Sequence, residues 1–273
     1  MISSACIDVN HNSPVVTTNF CLTSYEFQYL NKVYQHFHET LNSHNKALAY
    51  LSNSRGLSDN SIEKFHLGYC DKSYTADFLN SSGAPEKLRG LLQGSGLIKP
   101  TGHHLFNGSV IFPVLHKGGI LGAYGRRLSN RVMMDSTAYP FHLVVENLFF
   151  NQDILNHRPS FVVLVKSPLE AISAIQLGAE NVLSLIGSEY ITTEHAKTLE
   201  QCGVKLVKFA YNLSLFNQKL IKRNASVFKR IGIKTKVANL ADWQDINQLL
   251  VCETNAQRVM NRILKQTQTI KGA

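Results

Sequence analysis

From Lys205 to Lys236 the sequence has no aspartate or glutamate, although the stretch carries Lys205, Lys208, Lys219, Lys222, Arg223, Lys229, Arg230, Lys234 and Lys236. A solvated helix face normally mixes signs, so a phosphate-facing surface is set here against an ordinary exposed one. The sequence also lacks any apolar run approaching the roughly 20 residues that cross a bilayer. Its start, "MISSACIDVNHNSPVV", lacks the basic flank and continuous apolar segment of a secretion signal. A cytoplasmic protein without membrane contact is therefore predicted. Cys6, Cys21, Cys70, Cys202 and Cys252 are scattered and form no C-x-x-C pair. That spacing excludes a zinc ribbon and a disulfide framework and predicts reduced, mostly buried thiols.

The chain does have enough length and apolar content for a substantial core. Its 273 residues, 44% of them hydrophobic, predict two domains or one with a helical appendage. The 28 lysines and arginines outweigh 19 acids, giving +9, and point to a polyanionic partner such as nucleic acid.

Residues 1–22 show no periodicity and read as a loose leader. From Thr23, the positions Phe27, Leu30, Val33, Tyr34 and Phe37 fall at helical spacing, and a second helix restarts near Ser43. Ser58 is a candidate N-cap for a short helix bearing Ile62 and Phe65 and stopping at Gly68. "SVIFPVLH" and "ILGAYGRRL" read as a hairpin turning at Lys117-Gly118-Gly119. Beyond His157 the pattern alternates: strand 161–165, helix 168–177, strand 181–185, helix 192–201, strand 204–210, helix 214–230 and strand 234–239. Alternation of this kind predicts a parallel sheet with right-handed crossovers. Ile246, Leu249, Leu250, Val259, Ile263 and Leu264 then fit a C-terminal helical segment that docks on its own domain or on a partner. The predicted divisions are a leader 1–22, an α+β subdomain 23–157, an α/β domain 158–242 and helices 243–273.

Four of these segments, in this order, resemble the RNA-polymerase core of bacterial DNA primase, the DnaG family, whose second half is a Toprim domain. "ALAYLSNSRGLSDNSIEKFHLGYC" resembles the primase helical segment with R-G-L and an F-x-x-G-Y ending. "LFNGSVIFPVLHKGGILGAYGRRL" resembles its F-P-I and G-G-R hairpin. "FVVLVKSPLEAISAIQLGAENVLSLIGSEYITTEHAKTL" resembles the opening of the Toprim domain. "VKFAYN" and "VANLADWQDINQLL" resemble its closing strand and the segment beyond. The resemblance covers roughly residues 45–250. It implies a primase-like α+β subdomain followed by a Toprim-like α/β parallel sheet with C-terminal helices.

The same resemblance implies a metal site and shows its acids replaced. Where Toprim primases carry Glu-Gly at the first strand end, this sequence has Lys166-Ser167, and the Asp-x-Asp positions read Asn212 and Ser214. Magnesium is usually held by carboxylates and phosphate oxygens. A lysine about 4 Å away, at an effective dielectric near 20, opposes each unit of the ion's charge by roughly 4 kcal/mol. Metal-dependent catalysis, a cofactor and a bound metal are therefore not expected. Glu170, at a position where primases often carry Asp, is read as capping or solvating the helix start. Lys166 either takes over part of a metal's charge role, by binding phosphate or pairing with Glu170, or reaches into solvent.

Arg126 matches the arginine of the G-G-R pattern, in the part of the fold that resembles a template groove. Arg127 beside it points to the opposite face of a strand. The family's F-R-x-R-type run is here Phe106-Asn107-Gly108-Ser109, so the inherited template path has lost charge. The basic block then supplies the candidate phosphate contacts Lys208, Lys219, Lys222, Arg223, Lys229 and Arg230, beside Arg126 and Arg127. His103, His104 and His116 have no ligand-like spacing and read as a solvent-exposed pair and a separate residue. Cys6, His11 and Cys21 do not supply the four ligands of the family's zinc module.

Three readings follow. The first is a catalytically inactive, nucleic-acid-binding primase relative, favouring single-stranded DNA or RNA over duplex, in an accessory role within a replication, mobile-element or phage-related complex. The second is a protein adaptor that imitates primase without binding nucleic acid. The third is a primase or nuclease with substitute ligands, for which Glu170, Asp153 or Glu189 must converge.

Overall fold

The computed structural model describes residues 24–71, 85–128, 141–143 and 146–270. The leader 1–22 lies outside the described residues. Packing divides the described residues into two compact units that interleave in sequence: those up to 47, within 66–113 and within 119–146 in one, and those within 48–65, 114–118 and from 147 onward in the other.

In the first unit, helix α1 (Ser24–Ser43) buries Leu30, Val33, Tyr34, Phe37 and Leu41, an apolar stripe recurring every three or four residues. The chain restarts as α2 (Asn45–Ala49). Strands β1 (Gly68–Cys70), β2 (Ser109–His116), β3 (Gly119–Arg127) and β4 (Phe141–Leu143) form a sheet in that order, with α4 (Pro85–Gly94) in the same unit. Lys117 and Gly118, both at positive φ, close the hairpin between β2 and β3, the backbone signature of a two-residue type I′ turn. Gly68 does not stop a helix as its sequence position predicted, because α3 (Asp59–Lys64) has already ended. It opens β1 against α1, and a Cβ there would lie 2.9 Å from the backbone carbon and the Cβ of Phe37. Gly68→Ala is therefore expected to cost about 1–3 kcal/mol, read as a lower urea midpoint; an unchanged midpoint would contradict this close approach.

The second unit holds a six-stranded sheet in the order β10-β9-β8-β6-β7-β5. Its parallel centre is β6 (Phe161–Val165), β7 (Val182–Leu185), β8 (Leu206–Tyr211) and β9 (Lys234–Asn239). Antiparallel edges are added by β5 (Phe149–Phe150) and β10 (Thr267–Thr269). The alternation read from sequence is found nearly element for element. Neither edge strand was foreseen, since two or three residues carry no periodicity.

Helices α6 (Thr193–Gln201) and α7 (Leu215–Arg230) share one core with β6 and β8, built on Val162, Leu164, Val207, Phe209, Leu199, Leu220 and Phe228. Helix α5 (Pro168–Gln176) packs instead with α8 (Ile246–Cys252), and α9 (Ala256–Lys265) follows it. The C-terminal segment read as helical from 243 is thus two helices and a strand, broken at Glu253–Asn255. Segment 48–65 joins this unit through two amides. Gln176 donates to Gly56 O at 2.7 Å and accepts from Ser58 N and Ser61 Oγ. Asn247 donates to Arg55 O at 2.8 Å and to Ser173 Oγ at 3.0 Å. The expected N-cap Ser58 does cap α3, accepting from Ser61 N.

Among the described residues no helix is long and apolar enough to cross a membrane.

Candidate nucleic-acid interface and the adjoining strand ends

Strand β6 leads through α5 to β7 on one side, whereas β8 and β9 lie on its other side. The sheet order therefore reverses between β6 and β8, the place where an open parallel sheet forms a ligand crevice at its carboxyl ends. Lys166 and Ser167 follow β6 there, and Asn212 and Ser214 follow β8. All four positions singled out from the sequence thus belong to neighbouring strand ends.

The chemistry at those ends is that of helix caps. Ser167 caps α5 by accepting from Glu170 N at 3.3 Å. Ser214 caps α7 by accepting from Asn217 N at 3.3 Å. Asn212 accepts from Ser214 N and from the Asn217 side chain, and its own amide donates to Gln244 O. These two residues therefore organise the start of α7.

Glu170 does not solvate the helix start. It is 5% exposed, and one carboxylate oxygen, Oε2, has no hydrogen-bond partner. Burial pushes its pKa up to about 7. The Lys166 charge, the Ile246 N–H and Ser167 act in the opposite direction, while Asp245 reinforces burial. The cause is tertiary: α8, more than 70 residues downstream, places the Asp245 cap and the Ile246 amide beside it. Lys166 is half-buried, and its charge favours the ionised form of Glu170.

A divalent ion needs several oxygen donors bearing negative charge. The positions that the resemblance assigns to such an ion provide an ammonium, an amide, a hydroxyl and one buried carboxylate. Among the described residues no group of three or more His, Cys, Asp or Glu could hold a metal ion. These residues do not fit the metal chemistry. Asp153, one of the proposed substitute ligands, is engaged elsewhere, accepting from Lys117 N and bonded to His116 Nδ1 at 2.7 Å. His103 is exposed, but His104, expected to be exposed with it, is half-buried at an isolated bridge to Ile98.

Charge concentrates on α7. Its buried face is Asn217, Leu220, Ile221, Asn224, Ala225 and Phe228, which turns Lys219, Lys222, Arg223, Lys229 and Arg230 outward as exposed residues. No acid occupies its first turn, where the helix dipole would favour one. Lys208 is separated from this group. As a strand residue between core-facing Val207 and Phe209 it points to the other side of the sheet, donates to Leu264 O at 3.2 Å and lies 4.8 Å from the Phe161 ring centroid. Burial lowers its pKa, and the Lys236 charge adds to this. In the first unit, Arg126 is half-buried and Arg127 exposed at the end of β3.

Sequence reasoning missed the aromatic part of this surface. Among the described residues the exposed large apolar side chains are Tyr190, Leu215, Phe216 and Val251. Two of them open α7, and Tyr190 lies under the Arg223 guanidinium, 3.9 Å from its ring centroid. The available signal was phase: Leu215 and Phe216 fall outside the buried stripe that begins at Asn217.

Residues 36–139 match the family model described as DNA primase catalytic core, N-terminal domain. No curated protein matches the sequence significantly. The zinc-binding and RNA polymerase domains of Aquifex aeolicus primase superimpose with a TM-score of 0.74 at 21% identity, over 89% of this chain and 61% of that one. The RNA polymerase domain of Mycobacterium tuberculosis primase DnaG, in complex with double-stranded DNA carrying a 6-nucleotide overhang, gives 0.73 at 14% identity over 91% and 82%. A DnaG primase catalytic domain bound to single-stranded DNA gives 0.69 at 19% identity over 91% and 84%.

Proposed function

We propose that this chain, which has the fold of the bacterial DNA primase catalytic core, binds nucleic acid without polymerising it. The observation that carries the reading is the contrast within one unit. At the sheet's switch point the strand ends present Lys166, Asn212 and Ser214, two of them used to build the start of α7. The helix they build then turns five cations outward with no acid among residues 205–236. Such a surface attracts phosphate through counterion release, which needs no metal. The solved DNA complexes of proteins with this fold support a nucleic-acid partner, and the one with single-stranded DNA supports an unpaired strand. Exposed Tyr190 and Phe216 favour the same form, because unpaired bases have faces free to stack.

The test of inactivity is primer synthesis on a single-stranded template with ribonucleotides and either Mg²⁺ or Mn²⁺. No product is expected from this chain while a catalytic primase core extends in parallel. Metal-dependent primers abolished by Glu170→Gln would overturn the reading in favour of an enzyme with substitute ligands.

A further inference from the structure

The cations of α7 are not equivalent. Phe216, Lys219, Arg223 and Arg230 recur at intervals of three, four and seven residues, which places them in one outward stripe roughly 21 Å long. A strand stacked at about 3.4 Å per nucleotide covers that length in roughly six nucleotides. Tyr190 joins the stripe from the loop after β7. Asn224, fully buried and next to Arg223, fixes that loop by accepting from Ile191 N at 3.0 Å and donating to Glu189 O at 2.9 Å. The Tyr190 ring therefore holds the Arg223 guanidinium in place. A guanidinium fixed against an aromatic face keeps its donor fork ready for phosphate at a reduced entropic cost.

We propose that this stripe is the path of a single strand of nucleic acid. Bases stack on Phe216 and Tyr190, and phosphates meet Lys219, Arg223 and Arg230. The proposal rests on the nucleic-acid reading above and adds to it the route and the stacking contacts. Charge complementarity selects this occupant over an apolar protein segment: every charged residue that follows the exposed apolar groups along α7 is a cation. Glu189, exposed and adjacent to Tyr190 in sequence, opposes phosphate.

The experiment measures binding of the full chain to a labelled 12-nucleotide oligo(dT) and to an abasic strand of equal length, over a salt series. Phe216→Ala and Tyr190→Ala are each expected to weaken oligo(dT) binding roughly five- to a hundredfold, with the salt slope unchanged for Phe216→Ala. Phe216→Ala is expected to leave binding to the abasic strand unchanged, because nothing there can stack, and so to narrow the gap between the two strands. Lys219→Gln is expected to reduce the slope by about 0.7, and Glu189→Gln to tighten binding. Phe216→Trp is expected to retain affinity and show fluorescence quenching by the strand, against a background of the single native tryptophan, Trp243. If the native chain binds oligo(dT) while these variants all match it, this path is overturned and the broader reading survives. If the native chain binds neither strand, both fail, and self-association lost in Phe216→Ala would identify a second copy as the occupant.

Discussion

Replacing Lys222, Arg223, Lys229 and Arg230 together with glutamine is expected to weaken single-strand binding by roughly tenfold or more near physiological salt. The two of these residues on the stripe, Arg223 and Arg230, at about 0.7 each would also flatten the slope of log K against log salt by about 1.4. All four residues are exposed on α7, so the substitution removes charge without opening the core. The last turn does lose Lys229 and Arg230, which complement the helix dipole, at a cost of about 0.3–1 kcal/mol each. A melting curve separates that modest loss from the binding effect. Binding and slope equal to those of the native chain would remove α7 from the interface. A basic surface elsewhere, such as Arg126 and Arg127 on β3, would then carry the contacts.

Glu170→Gln is expected to stabilise the fold above neutral pH by about 3 kcal/mol, the equivalent of moving one pKa from 4.5 to about 7. Burial makes the folded chain hold a proton that the unfolded chain releases. Native stability is therefore expected to fall as pH rises from about 4.5 and to level off near 7. Glutamine imitates the neutral carboxyl and can still accept from the Ile246 amide, so the variant lacks that component of the slope. Lys166→Met is expected to move the same titration higher, because the ammonium is the strongest influence favouring the carboxylate. Urea midpoints measured from pH 4 to 9 check both variants. Parallel profiles for the native chain and Glu170→Gln would show that the carboxyl is not held neutral by its surroundings.

Local signals carried most of the α/β unit. The run Phe161–Val165 is apolar and β-branched enough to read as a buried strand, and Ser58, Ser167 and Ser214 are each followed by the helix they cap. The sequence could not show what distant segments cover. Glu170 reads as an exposed first-turn acid until α8 is placed over it. Lys208 reads as one more member of a basic block until strand alternation puts it on the far face from α7. Gly68 reads as a helix stop, whereas its role is the close approach to Phe37 from another helix. The Tyr190–Arg223 contact joins residues 33 positions apart through a loop fixed by Asn224, and no local pattern announces such a pairing. Phe216 was legible in principle from its phase along α7.

The most direct test of the central claim is binding of the purified chain to labelled single-stranded DNA, single-stranded RNA and duplex DNA over a salt series, with Mg²⁺ and with a chelator. Tight binding to a single strand, steeply salt-dependent and equal in the two conditions, is the predicted result. Binding that requires Mg²⁺ would contradict it, as would equally weak association with all three nucleic acids at physiological salt.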